Sequence, residues 1–93
     1  MIKHGWHATK NAEEIDALGI VKPARMSCVY LLDTLEAAAK YAWHFQYEKV
    51  YEVTYNSHNV AGSWKPAYAK GGRVIRLKPG ATASVYSSEE AER

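Results

Sequence analysis

The sequence predicts an α+β fold: a small mixed or antiparallel sheet with two short helices, in the order β-α-β-α-β followed by β-hairpins. The first half alternates strand-like apolar runs with two helical patterns, and the second half holds strand patterns separated by glycine and proline turns. The 93 residues are 47% hydrophobic and 24% charged, which are ordinary values for one globular domain. We therefore expect a single domain over residues 1–88 and a flexible acidic tail over residues 89–93.

The first elements are a short strand and a well-capped helix. A strand is predicted over residues 4–9. Asn11 and Glu14 then have the spacing of a helix N-cap and its capping partner, and Gly19 stands where a helix would stop. The apolar residues between them fall on one helical face, so a short amphipathic helix is expected here.

A second strand and helix follow the same logic. Residues 28–32 form an apolar run typical of a buried strand. Asp33 and Glu36 repeat the capping spacing and predict a helix over residues 35–46, whose alanine-rich face permits close packing on a sheet. Residues 49–55 alternate in polarity, which predicts a third strand.

The last part of the chain is expected to be loops and hairpins. Residues 56–66 are predicted to form a loop. Residues 67–70 and 73–77 are predicted to form a hairpin, because the two adjacent glycines between them suit turns that need positive φ. A final strand is expected near residues 82–86.

The charge distribution is uneven along the chain. Residues 49–88 contain six Lys or Arg residues and one acidic residue, Glu52, which gives a net charge of +5. Such a segment is typical either of the solvated edge of a small sheet or of a surface for an anionic partner: a nucleotide, a nucleic acid or an acidic protein surface. No nucleic-acid-binding fold motif accompanies it.

Several classes of protein and site are not expected. The lone Cys28 cannot form an internal disulfide, no apolar run is long enough to span a bilayer, and the first ten residues have no signal-peptide core. We therefore predict a cytoplasmic protein without a membrane partner. His4 and His7 are three residues apart on a predicted strand and would point to opposite faces, so no metal site is predicted.

Two segments together resemble a known family. In Gly5-Trp6-His7-Ala8-Thr9, a histidine is followed by a small residue and a threonine; in Cys28–Ala42, an apolar strand carries Tyr30 and the next helix carries Tyr41 eleven residues later. In this order they resemble the ADP-ribosyltransferase fold, in a minimal or phage-type form. The resemblance covers about residues 4–55.

The resemblance implies an NAD site, with NAD as the substrate. His7 would hydrogen-bond the nicotinamide ribose, and main-chain groups of Ala8 would bind the carboxamide. Thr9 would offer a hydroxyl to the adenosine side. Tyr30 and Tyr41 would bracket the nicotinamide ring by aromatic stacking.

The family's reaction breaks the bond between nicotinamide and ribose through a cation-like transition state, which a carboxylate stabilises. In the family this glutamate lies on a late strand, but residues 81–88 contain no acid. Glu52, the only carboxylate between residues 49 and 88, is therefore the catalytic candidate. Arg25 could face the pyrophosphate, because of its position and charge.

These residues leave more than one function open. The leading hypothesis is an NAD-dependent ADP-ribosyltransferase that modifies a protein or nucleic-acid acceptor, or an enzyme that hydrolyses NAD. The alternative is a non-catalytic, phage-type inhibitor on the same trimmed fold, with a host enzyme or defence complex as its partner. A small relative that processes RNA phosphates is a third hypothesis. In each case His7 and the two tyrosines could instead be packing residues. A domain this small, with so many aromatic residues, could also form a homodimer.

Overall fold

The computed structural model describes residues 1–10, 12–23, 27–66 and 72–86. These ranges form a seven-stranded sheet, antiparallel at every recorded strand pair, with two α-helices, so the predicted α+β class is confirmed. The elements in chain order are β1 Ile2–Thr9, α1 Ala12–Leu18, β2 Ile20–Val21, β3 Tyr30–Leu32, α2 Leu35–Phe45, β4 Lys49–Asn56, a 3₁₀ helix Ser57–Asn59, β5 Val60–Trp64, β6 Val74–Leu77 and β7 Ala83–Val85.

Helix α1 ends at the predicted glycine. Gly19 has a φ of 69°, a left-handed conformation that glycine adopts without a Cβ penalty. Its N–H donates to the carbonyl of Ile15 at 2.8 Å, which satisfies one of the last carbonyls of the helix. The predicted N-cap, Asn11, lies outside the described residues.

Helix α2 is capped one residue later than the sequence predicts. Thr34 is the N-cap, and its hydroxyl accepts a hydrogen bond from the N–H of Ala37 at 3.1 Å. The prediction of Asp33 as the cap is wrong, because its carboxylate accepts instead from the N–H of Arg73 at 2.7 Å. The helix ends at Phe45, and Gln46 follows in a left-handed conformation with φ 58°.

The sheet order is β2-β7-β4-β1-β3-β6-β5, so β1 lies in the middle. Strand β1 pairs with β4 along its whole length, from Ile2 to Thr9. With β3, by contrast, its recorded register is a single pair, Trp6 and Leu32. Strands β1 and β3 therefore separate beyond Trp6, which opens the sheet on the side of His7.

Residues 56–66, which follow β4, have more regular secondary structure than predicted. Residues 56–66 were expected to be a loop, but they contain the 3₁₀ helix and strand β5, which pairs with β6. The small residues in the middle of β5 show no alternation of polar and apolar side chains. The strand forms because it pairs with β6. Strand β2, two residues long, was also missed. The predicted strand at residues 67–70, Gly71 and the tail at residues 89–93 lie outside the described residues.

Both faces of the sheet carry buried apolar residues, because neighbouring residues on each strand point to opposite sides. Helix α1 covers the larger cluster: Ile15, Val21, Val29, Leu31, Tyr51, Val53, Tyr55, Ile75, Leu77 and Ala83. Helix α2 covers the smaller one: Leu32, Ala37, Ala38 and Val74, with Trp6, Tyr41 and Val50 against it. The alanine-rich face of α2 thus lets the helix lie close to the sheet.

We expect Gly72→Ala to destabilise the fold by about 1–3 kcal/mol, because it overpacks this close approach. A Cβ at Gly72 would overlap the Cβ of Ala37, which is buried between α2 and the sheet and cannot move away. Urea denaturation should show a lower midpoint. Gly62→Ala is the matched control, since its Cβ would meet only the Arg76 guanidinium at 3.9 Å. Equal midpoints for the two variants would contradict this packing argument.

Candidate functional site

A cavity of about 240 Å³ lies where β1 and β3 separate. Its lining comes from the end of β1, from residues between β2 and β3, from β3, and from α2 with the residue after its cap. Five residues that the sequence predicted to bind NAD line it together: His7, Ala8, Thr9, Tyr30 and Tyr41. The structure therefore brings the two predicted segments to one place.

His7 connects the two strands across this opening. Its Nδ1 lies 2.9 Å from the carbonyl oxygen of Tyr30. A carbonyl can only accept, so Nδ1 carries the proton and, in the neutral ring, Nε2 is an acceptor. Burial lowers the pKa of His7 below its ordinary value of 6.5, although the hydrogen bond to Tyr30 acts in the opposite direction. His7 is therefore a neutral, oriented imidazole at neutral pH.

This lowered pKa predicts that the protein loses stability in acid. Below pH 6.5 the His7 of the unfolded chain takes up a proton before the folded one does, so unfolding becomes more favourable as the pH falls. Well above pH 6.5 His7 is neutral in both states, so it no longer lowers the free energy of unfolding. We expect the urea midpoint to fall as the pH is lowered below 6.5, and to fall less steeply in His7→Gln than in the wild type. The same slope in both proteins would contradict the prediction; His58→Gln, at an exposed position, is the control.

Aromatic side chains form much of the cavity wall. Tyr41 comes from α2, and its ring centroid lies 4.6 Å from that of Phe45 and 5.7 Å from that of Tyr47. Tyr30 stands on β3 and is 41% exposed. Sequence reasoning missed Tyr47, which reaches the cavity because the chain reverses at Gln46, after the end of α2. Tyrosine side chains from a strand, a helix and the residue after the helix cap thus line one cavity.

The charge of the lining is positive. Lys10 and Lys22 are among the lining residues, and no aspartate or glutamate is among those that the structure describes there. Both lysines were missed, because neither stands out in the sequence from other surface lysines. Lys10 also lines a neighbouring pocket, together with Glu13, Glu14 and Glu48. Arg25, the predicted pyrophosphate residue, lies outside the described residues.

Glu52, the catalytic candidate, is not among the residues that line the cavity. It lies on β4 opposite Trp6, whereas His7 lies opposite Tyr51. Since adjacent positions of a strand face opposite sides, Glu52 is on the face away from the His7 side chain. Its Oε2 lies 2.9 Å from Nδ1 of His4, on the same face. The structure thus joins Glu52 with His4 and does not bring its carboxylate to the cavity.

Cys28 lies in the cavity wall as a half-buried free thiol. Among residues 1–10, 12–23, 27–66 and 72–86, no group of three His, Cys, Asp or Glu side chains could hold a metal ion. Neither described helix combines the length and apolar character needed to cross a membrane.

Comparison with known proteins adds no relative. No protein-family model, curated protein or solved structure matches the chain.

Proposed function

We propose that this chain is an ADP-ribosyltransferase-like domain that binds NAD in the cavity between β1 and β3. One observation carries the proposal: five residues predicted from two separate sequence segments line a single cavity.

The size of the cavity suits the nicotinamide riboside half of the dinucleotide. Its 240 Å³ is slightly below the range of about 300–1,000 Å³ that is usual for small-molecule pockets. NAD as a whole needs more room, so its pyrophosphate and adenosine would lie outside, along the mouth. Of the two lysines in the lining, Lys22 is the one proposed to face the pyrophosphate, since Lys10 also lines a pocket with Glu13, Glu14 and Glu48.

Each proposed contact uses a group that the site makes available. The rings of Tyr30 and Tyr41 would stack on nicotinamide. The Nε2 of His7 would accept a hydrogen bond from a ribose hydroxyl, while its Nδ1 stays bound to β3. Main-chain groups of Ala8 would bind the carboxamide, and Thr9 would contact the adenosine side.

Binding is the activity that the geometry supports best. Transfer of ADP-ribose to a protein or nucleic-acid acceptor, or hydrolysis of NAD, needs a carboxylate beside the ribose to stabilise the developing positive charge. Glu52 is hydrogen-bonded to His4 and is not among the residues that line the cavity. If nicotinamide is released from NAD, we expect Glu52→Gln to leave the rate unchanged. A large loss of rate in that variant would instead assign Glu52 the catalytic role.

The test of NAD binding uses Cys28, the only cysteine in the sequence. NAD at millimolar concentration should slow the alkylation of Cys28 by a maleimide, because the nucleotide covers the cavity wall that holds the thiol. Mass spectrometry measures the rate, and Cys28→Ser confirms the labelled site. ADP-ribose, which lacks nicotinamide, should protect less. An alkylation rate that NAD does not change would refute the proposal.

A second candidate function, the non-catalytic inhibitor, is favoured by Trp43. This side chain lies on α2 and is 84% exposed, and exposed tryptophans are frequent anchors of protein interfaces. A host protein bound by the wild type and by His7→Ala, but not by Trp43→Ser, would support this function. A cytoplasmic location, expected in part from the lone cysteine, is compatible with either function.

A further inference from the structure

A second surface with ligand-binding character lies on the α2 side of the sheet, beyond the part that the helix covers. Tyr30 on β3 is opposite Arg76 on β6, and Trp64 on β5 is opposite Val74, two residues from Arg76. Paired residues share a face of the sheet, so the three side chains lie together. The rings of Tyr30 and Trp64 meet edge to face at 6.2 Å. We call these three residues the β5–β6 platform.

The platform is exposed although it borders the core. Leu32 and Val74, its neighbours on the same face, are buried in the cluster under α2. Beyond them Tyr30 is 41% exposed and Trp64 is 42% exposed. Two large rings that stay partly in water at the rim of a core leave apolar surface for a ligand to cover.

Arg76 is available to that ligand. Gly62 on β5 leaves room for its guanidinium, since a Cβ built there would lie 3.9 Å from one of its nitrogens. Among the residues that the structure describes, the guanidinium of Arg76 has no ion-pair or hydrogen-bond partner, although its backbone is paired within the sheet. Arg73, by contrast, already donates to the hydroxyl of Ser63 at 2.8 Å.

The surroundings of the platform are positively charged. Residues 57–66 and 72–86 contain four Lys or Arg residues and no acid: Lys65, Arg73, Arg76 and Lys78. All four are exposed. The carboxylate that the structure places against this region is that of Asp33, which accepts from the N–H of Arg73. The partner of this surface should therefore be anionic and should also offer flat apolar faces.

We propose that the β5–β6 platform binds single-stranded nucleic acid. Unpaired bases supply the flat faces, which would stack on Tyr30 and Trp64, and the phosphates supply the negative charge for Arg76 and the neighbouring lysines. An acidic peptide would satisfy the charges but not the rings, and a duplex keeps its bases stacked inside. Tyr30 also lines the cavity, but Trp64 and Arg76 do not, so substitutions of these two residues test the platform separately from NAD binding.

The test measures fluorescence polarisation of a fluorescein-labelled, single-stranded oligouridine of about 10 nucleotides, a length suited to one small domain. Trp64→Ala should weaken binding about 5- to 150-fold, since it removes one stacked base. Trp64→Phe, which keeps a ring, should restore most of the affinity. Trp43→Ala is the matched control, because it removes a still more exposed tryptophan from a different element, and it should change nothing.

The charge contribution is tested separately through salt. Arg76→Gln should reduce the slope of log affinity against log salt by about 0.7, the value for one phosphate contact on a single strand. NAD should protect Cys28 from alkylation as well in Trp64→Ala as in the wild type, so the two proposals can fail independently. The proposal is overturned if Trp64→Ala and Trp43→Ala bind the oligonucleotide equally. Polyglutamate that competes as well as unlabelled oligouridine would also overturn it. So would a duplex of the same length that binds with the same affinity as the single strand.

Discussion

Tyr30→Ala is expected to weaken NAD binding about 10- to 100-fold. The substitution removes one of the two rings proposed to hold nicotinamide, and with it both the apolar area that the ligand covers and the stacking geometry. The backbone of β3 should keep its place, because Tyr30 is partly exposed while the next two residues, Leu31 and Leu32, are buried. Isothermal titration with NAD gives the affinity.

Tyr30→Phe is the matched control for this loss. It keeps the ring and removes only the hydroxyl, so the affinity for NAD should stay within a few-fold of the wild type. Tyr30 also belongs to the β5–β6 platform, so Tyr30→Ala should weaken oligonucleotide binding as well, whereas Trp64→Ala should weaken that alone. A Tyr30→Ala protein that binds NAD as tightly as the wild type would contradict the stacking role.

Leu31→Ala is expected to reduce the free energy of unfolding by about 2–5 kcal/mol. Leu31 has no exposed surface and lies in the larger core cluster. Its Cδ1 would be 3.5 Å from a Cβ built on Gly5, so it also packs β3 against β1 beside the place where the two strands separate. In a domain whose total stability is about 5–15 kcal/mol, such a loss is a large fraction of the whole.

Urea denaturation of the two proteins measures this loss. Leu35→Ala is the matched control, since it makes the same chemical change at a side chain that is 56% exposed and should cost no more than about 0.5 kcal/mol. Similar losses for the two leucines would mean that Leu31 is not at the centre of the core. The cavity lies next to this position, so Leu31→Ala should also lower the affinity for NAD.

Local signals predicted the helices well. Gly19 ends α1 because glycine tolerates a positive φ wherever it stands in the fold. The spacing of apolar residues predicted the end of α2 to within one residue. The choice of Thr34 over Asp33 as the cap could not be predicted, because both side chains can accept from a helix N–H. Asp33 is used instead by Arg73, whose proximity follows from the pairing of β3 with β6.

The strands show the opposite behaviour. Strand β4 alternates clearly and was predicted, with its end one residue short. Strand β5 was missed, because its small residues have no period and its order depends on hydrogen bonds to β6, its neighbour at the edge of the sheet. Pairing between segments is not encoded in either segment alone.

The site was predicted in part. The resemblance selected His7, Tyr30 and Tyr41, and all three line the cavity. Lys10, Lys22 and Tyr47 were missed, because they acquire a role only from where the chain places them. Glu52 was selected because it was the one acid in its region. The absence of other acids nearby in the sequence does not tell whether its side chain reaches the cavity.

The α+β class, both helices and the central strands follow from periodicity and capping along the chain, and the residues of the proposed NAD site follow from the family resemblance. Only the tertiary structure decided that β1 and β3 separate after the Trp6–Leu32 pair, which creates the cavity. The register that sets Glu52 beside His4 on the α2 face, and places Tyr30, Trp64 and Arg76 side by side, also depends on tertiary structure. The physical reason is that register depends on contacts between distant segments, and a shift of one residue exchanges the two faces of a strand.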